Sequence, residues 1–313
     1  MMCIKERNAS DSTCKKLLRD KGCFADLCNY AFFNGRQVIQ PEELVSKEND
    51  LSTLIGKVDK PTEIKRYRDV VRKASIHGEY VIIGVEHQST FDEKMIFRIL
   101  NYDATIYINQ VESKQEVYPV GSFVFYTEDK EWKSPETLKG TLKNIPSEME
   151  HYINDWRLPV VELKTMDARK LTNQRLKEVV EISQSMFAGN YDDLRNDRKI
   201  ETENFMMAAT FTRTKIKRED LPEGDEINMC EAMDRLFQRL RNEGEILGLE
   251  KGETIGIEKG KSDILKDLLK VKLGTLSRPL EKQLTNTSLE KLNELTLNIF
   301  NVTNEEDVLR IIN

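Results

Sequence analysis

The residues best suited to chemistry in this 313-residue sequence are Asp69 and the run from Glu86 to Gln88. Strand side chains alternate between faces, so Glu86 and Gln88 project together. A turn at Gly78 would pair their strand with the one that carries Asp69. Two converging carboxylates favour a hard divalent ion, which can polarise a phosphoryl oxygen and activate water to attack phosphorus. The alternative is structural, an ion pair of the Arg68–Glu86 type at a strand end.

A second acid–x–Lys pattern occurs at Glu162 and Lys164 in the apolar run 158–163. Its nearest upstream acid, Asp155, lies too close in sequence to belong to a separate paired strand. An amphipathic strand with exposed Glu and Lys explains the pattern more simply. We therefore favour the pattern at Glu86 and Gln88 as the catalytic one.

The elements that must position these residues alternate between helix and strand. Apolar residues recur at helical spacing over 10–33, with a break at Gly22 and an end at Asn34-Gly35, and again over 95–110 and most of 167–221. Strands are predicted at 67–74, 80–86, 118–126 and 158–163. The second of these is apolar throughout, which is typical of a strand buried on both faces.

The net charge of −6 belongs mostly to the end of the chain, since residues 221–313 hold 18 acidic and 13 basic residues. Lys60–Lys73 has six basic residues against two acidic ones. A local positive potential of this kind attracts a polyanion whatever the global charge, although a basic run is also typical of a solvated face. The acidic total therefore does not exclude a nucleic-acid partner.

The C-terminal region differs in kind from the rest. Glycine recurs every fourth residue at 244, 248, 252, 256 and 260. We interpret this repeat as a solvated semi-helical spacer; the alternative is a helix whose glycine stripe lets a partner helix approach. We expect three parts: a core over 1–225, the repeat segment over 226–262 and a small helical module over 263–313.

Composition places the chain among ordinary globular proteins. It has 39% hydrophobic and 33% charged residues, no apolar run of membrane-spanning length and a polar beginning. The five cysteines and three histidines are scattered without zinc-site spacing. We expect a cytoplasmic protein with reduced thiols and no membrane partner.

Four stretches of the sequence resemble a known family: FADLCNYAFFNG, RYRDVV, VIIGVEHQSTFDEKMIFRILNYDATIYINQ and FVFYTEDKEWKSPETL. They are similar to the Rpn family of recombination-promoting nucleases and putative transposases, which belongs to the PD-(D/E)XK nuclease superfamily. The resemblance extends over roughly 20–265 and includes INMCEAMDRLFQRLRNEGE ahead of the glycine repeat. Its most specific part is 66–110.

This resemblance implies an α/β fold, a restriction-endonuclease-like core of mixed sheet flanked by helices, with a helical C-terminal appendage. It implies a DNA endonuclease that uses Mg²⁺ (or Mn²⁺), with Asp69 and Glu86 as catalytic metal ligands. Gln88 takes the place of the superfamily's lysine, where its neutral amide can position water or the scissile phosphate by hydrogen bonds but offers no positive charge. Asp26 matches an accessory acid of many such nucleases, or is an ordinary structural aspartate.

DNA is the expected partner, with phosphate contacts at Arg68, Arg72 and Lys73. The C-terminal helical repeat is expected to support a homo-oligomer. The alternative function is a catalytically weak or inactive DNA-binding or interaction protein that retains the nuclease fold, and the glutamine at position 88 favours it.

Overall fold

The computed structural model describes residues 4–45, 70–114 and 116–312. Contacts divide the chain into two compact units, 1–236 and 237–313; the three-part division at 225 and 262 stays a prediction. The helices are α1 (Ile4–Arg19), α2 (Lys21–Phe33), α3 (Met95–Glu112), α4 (Leu138–Thr141), α5 (Gln174–Phe187), α6 (Thr202–Thr212), α7 (Met229–Leu273), α8 (Arg278–Thr285), α9 (Leu289–Asn298) and α10 (Glu305–Ile312). The strands are β1 (Val70–Ile76), β2 (Glu79–Gln88), β3 (Val120–Tyr126), β4 (Val160–Glu162), β5 (Lys199–Glu201) and β6 (Glu226–Asn228).

The central sheet is mixed and has the order β1-β2-β3-β4. Strand β1 is antiparallel to β2, whereas β2, β3 and β4 are mutually parallel. The parallel pair of β2 and β3 needs a crossover, which α3 supplies. With helices flanking the sheet and a helical region at the C-terminus, the predicted fold class is confirmed.

The β1–β2 hairpin turns at His77 and Gly78, and the predicted turn at Gly78 is confirmed. His77 and Gly78 have φ values of 52° and 88°. A two-residue turn with positive φ at both positions has a backbone twist that matches the right-handed twist of the flanking strands. The register runs from Ile76 opposite Glu79 to Val70 opposite Val85. The predicted first strand begins at residue 67, and residues 67–69 lie outside the described residues.

The two faces of the sheet pack against different helices. Val85, Phe123 and Phe125 belong to the main core, which also holds buried residues of α1, α2, α5 and α6. Val124 and Tyr126 belong to a second cluster with the apolar residues of α3. Because side chains alternate along a strand, alternate residues of β2 and β3 face α3, and the residues between them face the main core.

The break between the first two helices lies at Asp20, and the prediction of a break at Gly22 is wrong. The Asp20 carboxylate accepts a hydrogen bond from the backbone nitrogen of Cys23 at 2.8 Å and caps α2. This cap satisfies an amide at the helix N-terminus, so α2 begins before the glycine. The predicted end is confirmed, since Asn34 adopts a left-handed conformation with φ of 57°.

The region after the main sheet contains one feature that the sequence reading missed. Strands β5 and β6 form a separate antiparallel pair, and three-residue strands are too short to show a periodicity.

Helix α7 is continuous through all five repeat glycines, and nothing lies within 4 Å of a Cβ built at any of them. In the described part of the chain, none of the helices combines the length and apolar character needed to cross a bilayer.

The second unit has its own leucine-rich core, which includes Leu265, Leu269, Leu284 and Leu292. We predict that Leu284→Ala, at a fully buried position, destabilises this unit by about 2–5 kcal/mol because it leaves a cavity. Hydrogen exchange of the α8–α10 amides measures the effect. Leu297→Ala is the matched control, since Leu297 is 82% exposed. Equal acceleration of exchange in both variants would contradict the assignment of this core.

Candidate functional site

The carboxyl ends of the parallel strands place polar side chains along one edge of the sheet. Gln88 pairs in register with Tyr126, and Tyr126 pairs with Glu162. Glu86 lies two residues before Gln88 and projects to the same face. Glu86 is 4% exposed and Gln88 is 3% exposed. This edge is where open α/β sheets usually bind their ligands.

Glu86 is held by a cation from α3. Arg98 Nη2 donates to Glu86 Oε1 at 2.8 Å, and Arg98 Nη1 donates to Asp92 Oδ2 at 3.0 Å. Burial alone would lower the pKa of Arg98, but hydrogen bonds to Tyr102 and Asp92 and the charge of Glu86 outweigh burial and raise it. Arg98 therefore stays charged and compensates the buried carboxylate of Glu86.

Asp92 and Arg98 lie within the stretch that resembles the family, but the sequence predicts no role for either of them. The structural alternative is an ion pair of the Arg68–Glu86 type at a strand end. Arg68 lies outside the described residues, and within them Glu86 pairs with Arg98. A signal was available, because Arg98 follows Met95 by three residues and so lies on the apolar face of α3. A charged residue on a buried helix face indicates a buried partner of opposite charge.

Tyr126 brings a neutral phenol to the same edge. The side chain is fully buried, and neither its hydroxyl nor Trp132 Nε1, whose ring lies 5.0 Å away, has a hydrogen-bond partner among the described residues. Burial, followed by the charges of Glu128 and Glu162, raises the pKa of Tyr126 to about 12. The hydroxyl therefore remains protonated at neutral pH.

The competing pattern at Glu162 and Lys164 does not share a strand face. Strand β4 ends at Glu162, and Lys164 lies in the following 3-10 turn, Leu163–Thr165. Glu162 Oε2 accepts a hydrogen bond from the backbone nitrogen of Trp132 at 3.1 Å. Lys164 Nζ is 2.7 Å from Asp129 Oδ1. This geometry favours Glu86 and Gln88 as the chemically relevant pattern.

His87, between the two candidate residues, points to the opposite face. Its Nδ1 lies 2.9 Å from Asp11 Oδ1, and its Nε2 lies 2.9 Å from Thr127 Oγ1. An acid, a histidine and a hydroxyl in sequence are reminiscent of a hydrolase triad. However, His87 is 2% exposed and Thr127 is fully buried, so no substrate reaches them. The network instead fastens α1 to the end of β2.

Asp26 is occupied by hydrogen bonds from protein groups. Its carboxylate accepts from the backbone nitrogens of Thr172 and Asn173 at 2.8 and 2.9 Å, from Thr172 Oγ1 at 3.1 Å and from Gln37 Nε2 at 3.0 Å. These bonds tie α2 to the residues that precede α5. They correspond to the structural alternative for Asp26, while the role of accessory acid stays a prediction.

Two of the predicted phosphate contacts, Arg72 and Lys73, also have partners within the chain. Arg72 Nη2 donates to the carbonyl oxygens of Leu18 and Arg19 at 3.1 and 3.0 Å, at the C-terminal end of α1. Lys73 Nζ lies 4.1 Å from the ring centre of Tyr80 and 3.7 Å from that of Tyr118. Arg68 and Asp69 lie outside the described residues.

The carboxylate oxygens at this sheet edge supply part of what a hard divalent ion needs for its coordination shell. Mg²⁺ commonly takes only one or two protein carboxylates and completes its shell with waters and phosphate oxygens. Glu86 offers one buried carboxylate, which it shares with Arg98. Within the described ranges, no group of three or more His, Cys, Asp or Glu residues could hold a metal ion. A second ligand at Asp69 is thus a matter of prediction.

The mixed sheet, its flanking helices and a buried acid near the end of β2 define a restriction-endonuclease-like fold. The family described as "Putative transposase, YhgA-like" matches residues 62–214, so this part of the chain is similar to that family. The match spans Glu86, Gln88 and Arg98 and confirms the resemblance to the recombination-promoting nuclease group. No curated protein and no solved structure gives a significant match to the chain.

We predict that removal of two buried hydroxyls on β3 changes the free energy of unfolding differently in the two cases. Ser122 Oγ donates to Asp103 Oδ1 at 2.6 Å, so Ser122→Ala should cost about 1–3 kcal/mol. Tyr126→Phe should be neutral or raise stability by up to about 1 kcal/mol, because it removes a buried hydroxyl without a partner among the described residues. Urea unfolding measures both; a loss in Tyr126→Phe as large as in Ser122→Ala would contradict this description of the sheet edge.

Proposed function

We propose that the protein is a DNA endonuclease that hydrolyses phosphodiester bonds with Mg²⁺ or Mn²⁺. The family match supports a nuclease- or transposase-like function. The observation that carries the finer proposal is the buried carboxylate of Glu86 on the central strand of a restriction-endonuclease-like sheet, with Gln88 on the same face. An acid buried at a ligand-binding sheet edge is expected to serve either a cation or a reacting group.

The β1–β2 register supports Asp69 as the second metal ligand. Val70 lies opposite Val85, so one further step of the same antiparallel pairing would place Asp69 opposite Glu86. Cross-strand partners project to one face with Cβ atoms about 4.5–5.5 Å apart. Two carboxylates at that separation could bind one divalent ion between them.

Each side chain has a distinct part in the proposed reaction. Asp69 and Glu86 would hold the ion, which when bound supplies charge stabilisation at the phosphate and an acidified water. The Gln88 amide would orient that water or the phosphate through hydrogen bonds. Arg98 would supply the fixed positive charge that Gln88 lacks, since its guanidinium already lies against Glu86. Attack of the water oxygen on phosphorus would form one P–O bond and break one P–O ester bond, while the water loses a proton to solvent and the departing oxygen takes one from solvent.

DNA is the proposed substrate, and the family's description as transposases supports it. The basic run 60–73 would contribute backbone contacts through Arg68, Arg72 and Lys73. Arg72 and Lys73 would have to share or leave their present partners, whereas Arg68 lies outside the described residues. We place the protein in the cytoplasm, which agrees with the free thiols at Cys23, Cys28 and Cys230.

One observation favours a second candidate function, that of a DNA-binding or interaction protein with little catalysis. Arg98 occupies one oxygen of Glu86 at 2.8 Å, and the superfamily's lysine is replaced by the neutral Gln88. A carboxylate that keeps its arginine binds a metal ion weakly. The protein would then bind DNA without cleaving it.

Plasmid nicking separates the two candidates. We predict that the full-length protein nicks supercoiled plasmid with Mg²⁺, and that Glu86→Gln or Asp69→Asn lowers the rate at least about 100-fold because a metal ligand is lost. Glu162→Gln is the matched control and should keep most of the activity. Circular dichroism should be unchanged in all variants. Wild-type protein that binds plasmid but never nicks it would support the second candidate, and equal loss in Glu162→Gln would contradict the choice of site.

Thermal unfolding with and without Mg²⁺ tests the electrostatics separately from activity. Arg98→Gln should lower stability by about 3–5 kcal/mol, because it removes the cation beside a buried carboxylate. Mg²⁺ should restore part of this loss by binding at Glu86. Arg169→Gln is the control, since the Arg169 side chain is 89% exposed and pairs only with nearby Asp167 among the described residues. An Arg98→Gln variant that is as stable as wild type would overturn the assigned ion pair.

A further inference from the structure

Two loops at the carboxyl edge of the central sheet each carry an aromatic residue. Phe91 lies in the loop 89–94 after β2, and Trp132 lies in the loop 127–136 after β3. Their ring centres are 5.3 Å apart, in an edge-to-face contact. The Trp132 ring also lies 5.0 Å from that of Tyr126, at the end of β3. The three rings form an aromatic row that leads from buried Tyr126 to the surface, where Phe91 is 43% exposed.

Hydrogen bonds hold the two loops together. Ser134 Oγ donates to the carbonyl oxygen of Glu93 at 3.4 Å, which joins the loops directly. Arg213, which follows α6, contacts both loops, since its guanidinium donates to the carbonyl oxygen of Ser89 and pairs with Glu128. The aromatic row is therefore carried by joined loops, and a ligand that binds there meets a site that is already formed.

The outermost ring lies next to the residues that hold the candidate metal ligand. Asp92, which follows Phe91 in the chain, accepts a hydrogen bond from Arg98 Nη1 at 3.0 Å, and Arg98 Nη2 donates to Glu86 Oε1 at 2.8 Å. Only these two side chains link the exposed ring to the buried carboxylate. A DNA strand with one phosphate at Glu86 would therefore carry its neighbouring bases past Phe91.

We propose that Phe91, supported by Trp132, stacks on an unpaired base of the DNA strand whose phosphate lies at Glu86. This inference rests on the proposed nuclease function, and it names the substrate class as DNA with an unpaired nucleotide beside the scissile phosphate. A base inside a duplex has both faces covered by its neighbours, so it must leave the stack before it can contact a protein ring. An unpaired base offers its face without that cost.

The inner rings favour contact with the face of a base rather than with its edge. Their polar atoms, Trp132 Nε1 and the Tyr126 hydroxyl, are both buried. They therefore cannot form hydrogen bonds with a base that binds at the surface. Every base has a π face, so stacking alone does not distinguish one base from another. We expect a preference for unpaired DNA without a preference among the four bases.

The charges of the two loops add little attraction for DNA. Three of their acids, Asp92, Glu128 and Asp129, pair with basic residues. The other charged residues of the loops are three lysines and three glutamates. Binding at the aromatic row should therefore depend on stacking and release few counterions, unlike phosphate contacts from the basic run 60–73.

Binding of oligonucleotides to the full-length protein in EDTA tests the proposal without cleavage. By fluorescence anisotropy, wild type should bind a duplex with a single-stranded overhang about tenfold more tightly than the blunt duplex. Phe91→Ala should lose most of this difference, because one stack between a base and an aromatic ring contributes affinity of that order. Phe91→Trp should keep it. Phe97→Ala is the matched control, since Phe97 lies on α3, outside both loops, and is 42% exposed.

A fluorescent base reports the stacking itself. 2-Aminopurine in the overhang loses emission when it stacks on an aromatic ring, so its emission should fall on binding to wild type and to Phe91→Trp. It should not fall with Phe91→Leu, which keeps apolar bulk at this position but has no ring. Phe91→Ala should also leave the slope of log affinity against log salt unchanged, because no phosphate contact is lost.

Several results would overturn the proposal. They are equal binding of the two duplexes by wild type, equal losses in Phe91→Ala and Phe97→Ala, and a Phe91→Ala variant that keeps the wild-type preference, which would assign this surface to another partner. Wild type that prefers the overhang in EDTA but never nicks plasmid with Mg²⁺ would support the stacking and contradict the nuclease function. The two failures are therefore distinguishable.

Discussion

The ion pair between Glu86 and Arg98 is the interaction on which the arrangement of the sheet edge depends. An isolated buried carboxylate loses several kcal/mol of hydration free energy, and it needs a nearby cation in good geometry to recover it. Arg98 meets that need at 2.8 Å, and Asp92 holds the other end of the guanidinium at 3.0 Å. The position of α3 over the sheet is therefore set by charge as well as by apolar packing.

The two faces of strand β2 contact different parts of the protein. On one face, His87 fixes α1 through a closed hydrogen-bond network; on the other, Glu86 and Gln88 face α3. Because strand side chains alternate, a shift of one residue in the register of β2 would exchange these faces. The hairpin turn at His77-Gly78 fixes that register from only a few residues away.

Local signals made much of this fold predictable from sequence. The apolar run of β2, the helical spacing of α3 and the turn at Gly78 are all encoded within short windows, and each is confirmed. Contacts between distant residues were harder. The Asp26 hydrogen bonds reach across 146 residues, and no local pattern announces such a partner. Likewise, the pairing of Arg98 with Glu86 depends on how α3 docks on the sheet.

The most direct test of the central claim is anomalous diffraction from crystals grown with Mn²⁺. The account predicts an anomalous peak between the carboxylates of Asp69 and Glu86, with Arg98 still bound to Asp92. Crystals that contain Mn²⁺ in solution but show no peak there, with Arg98 and Glu86 still paired, would contradict it.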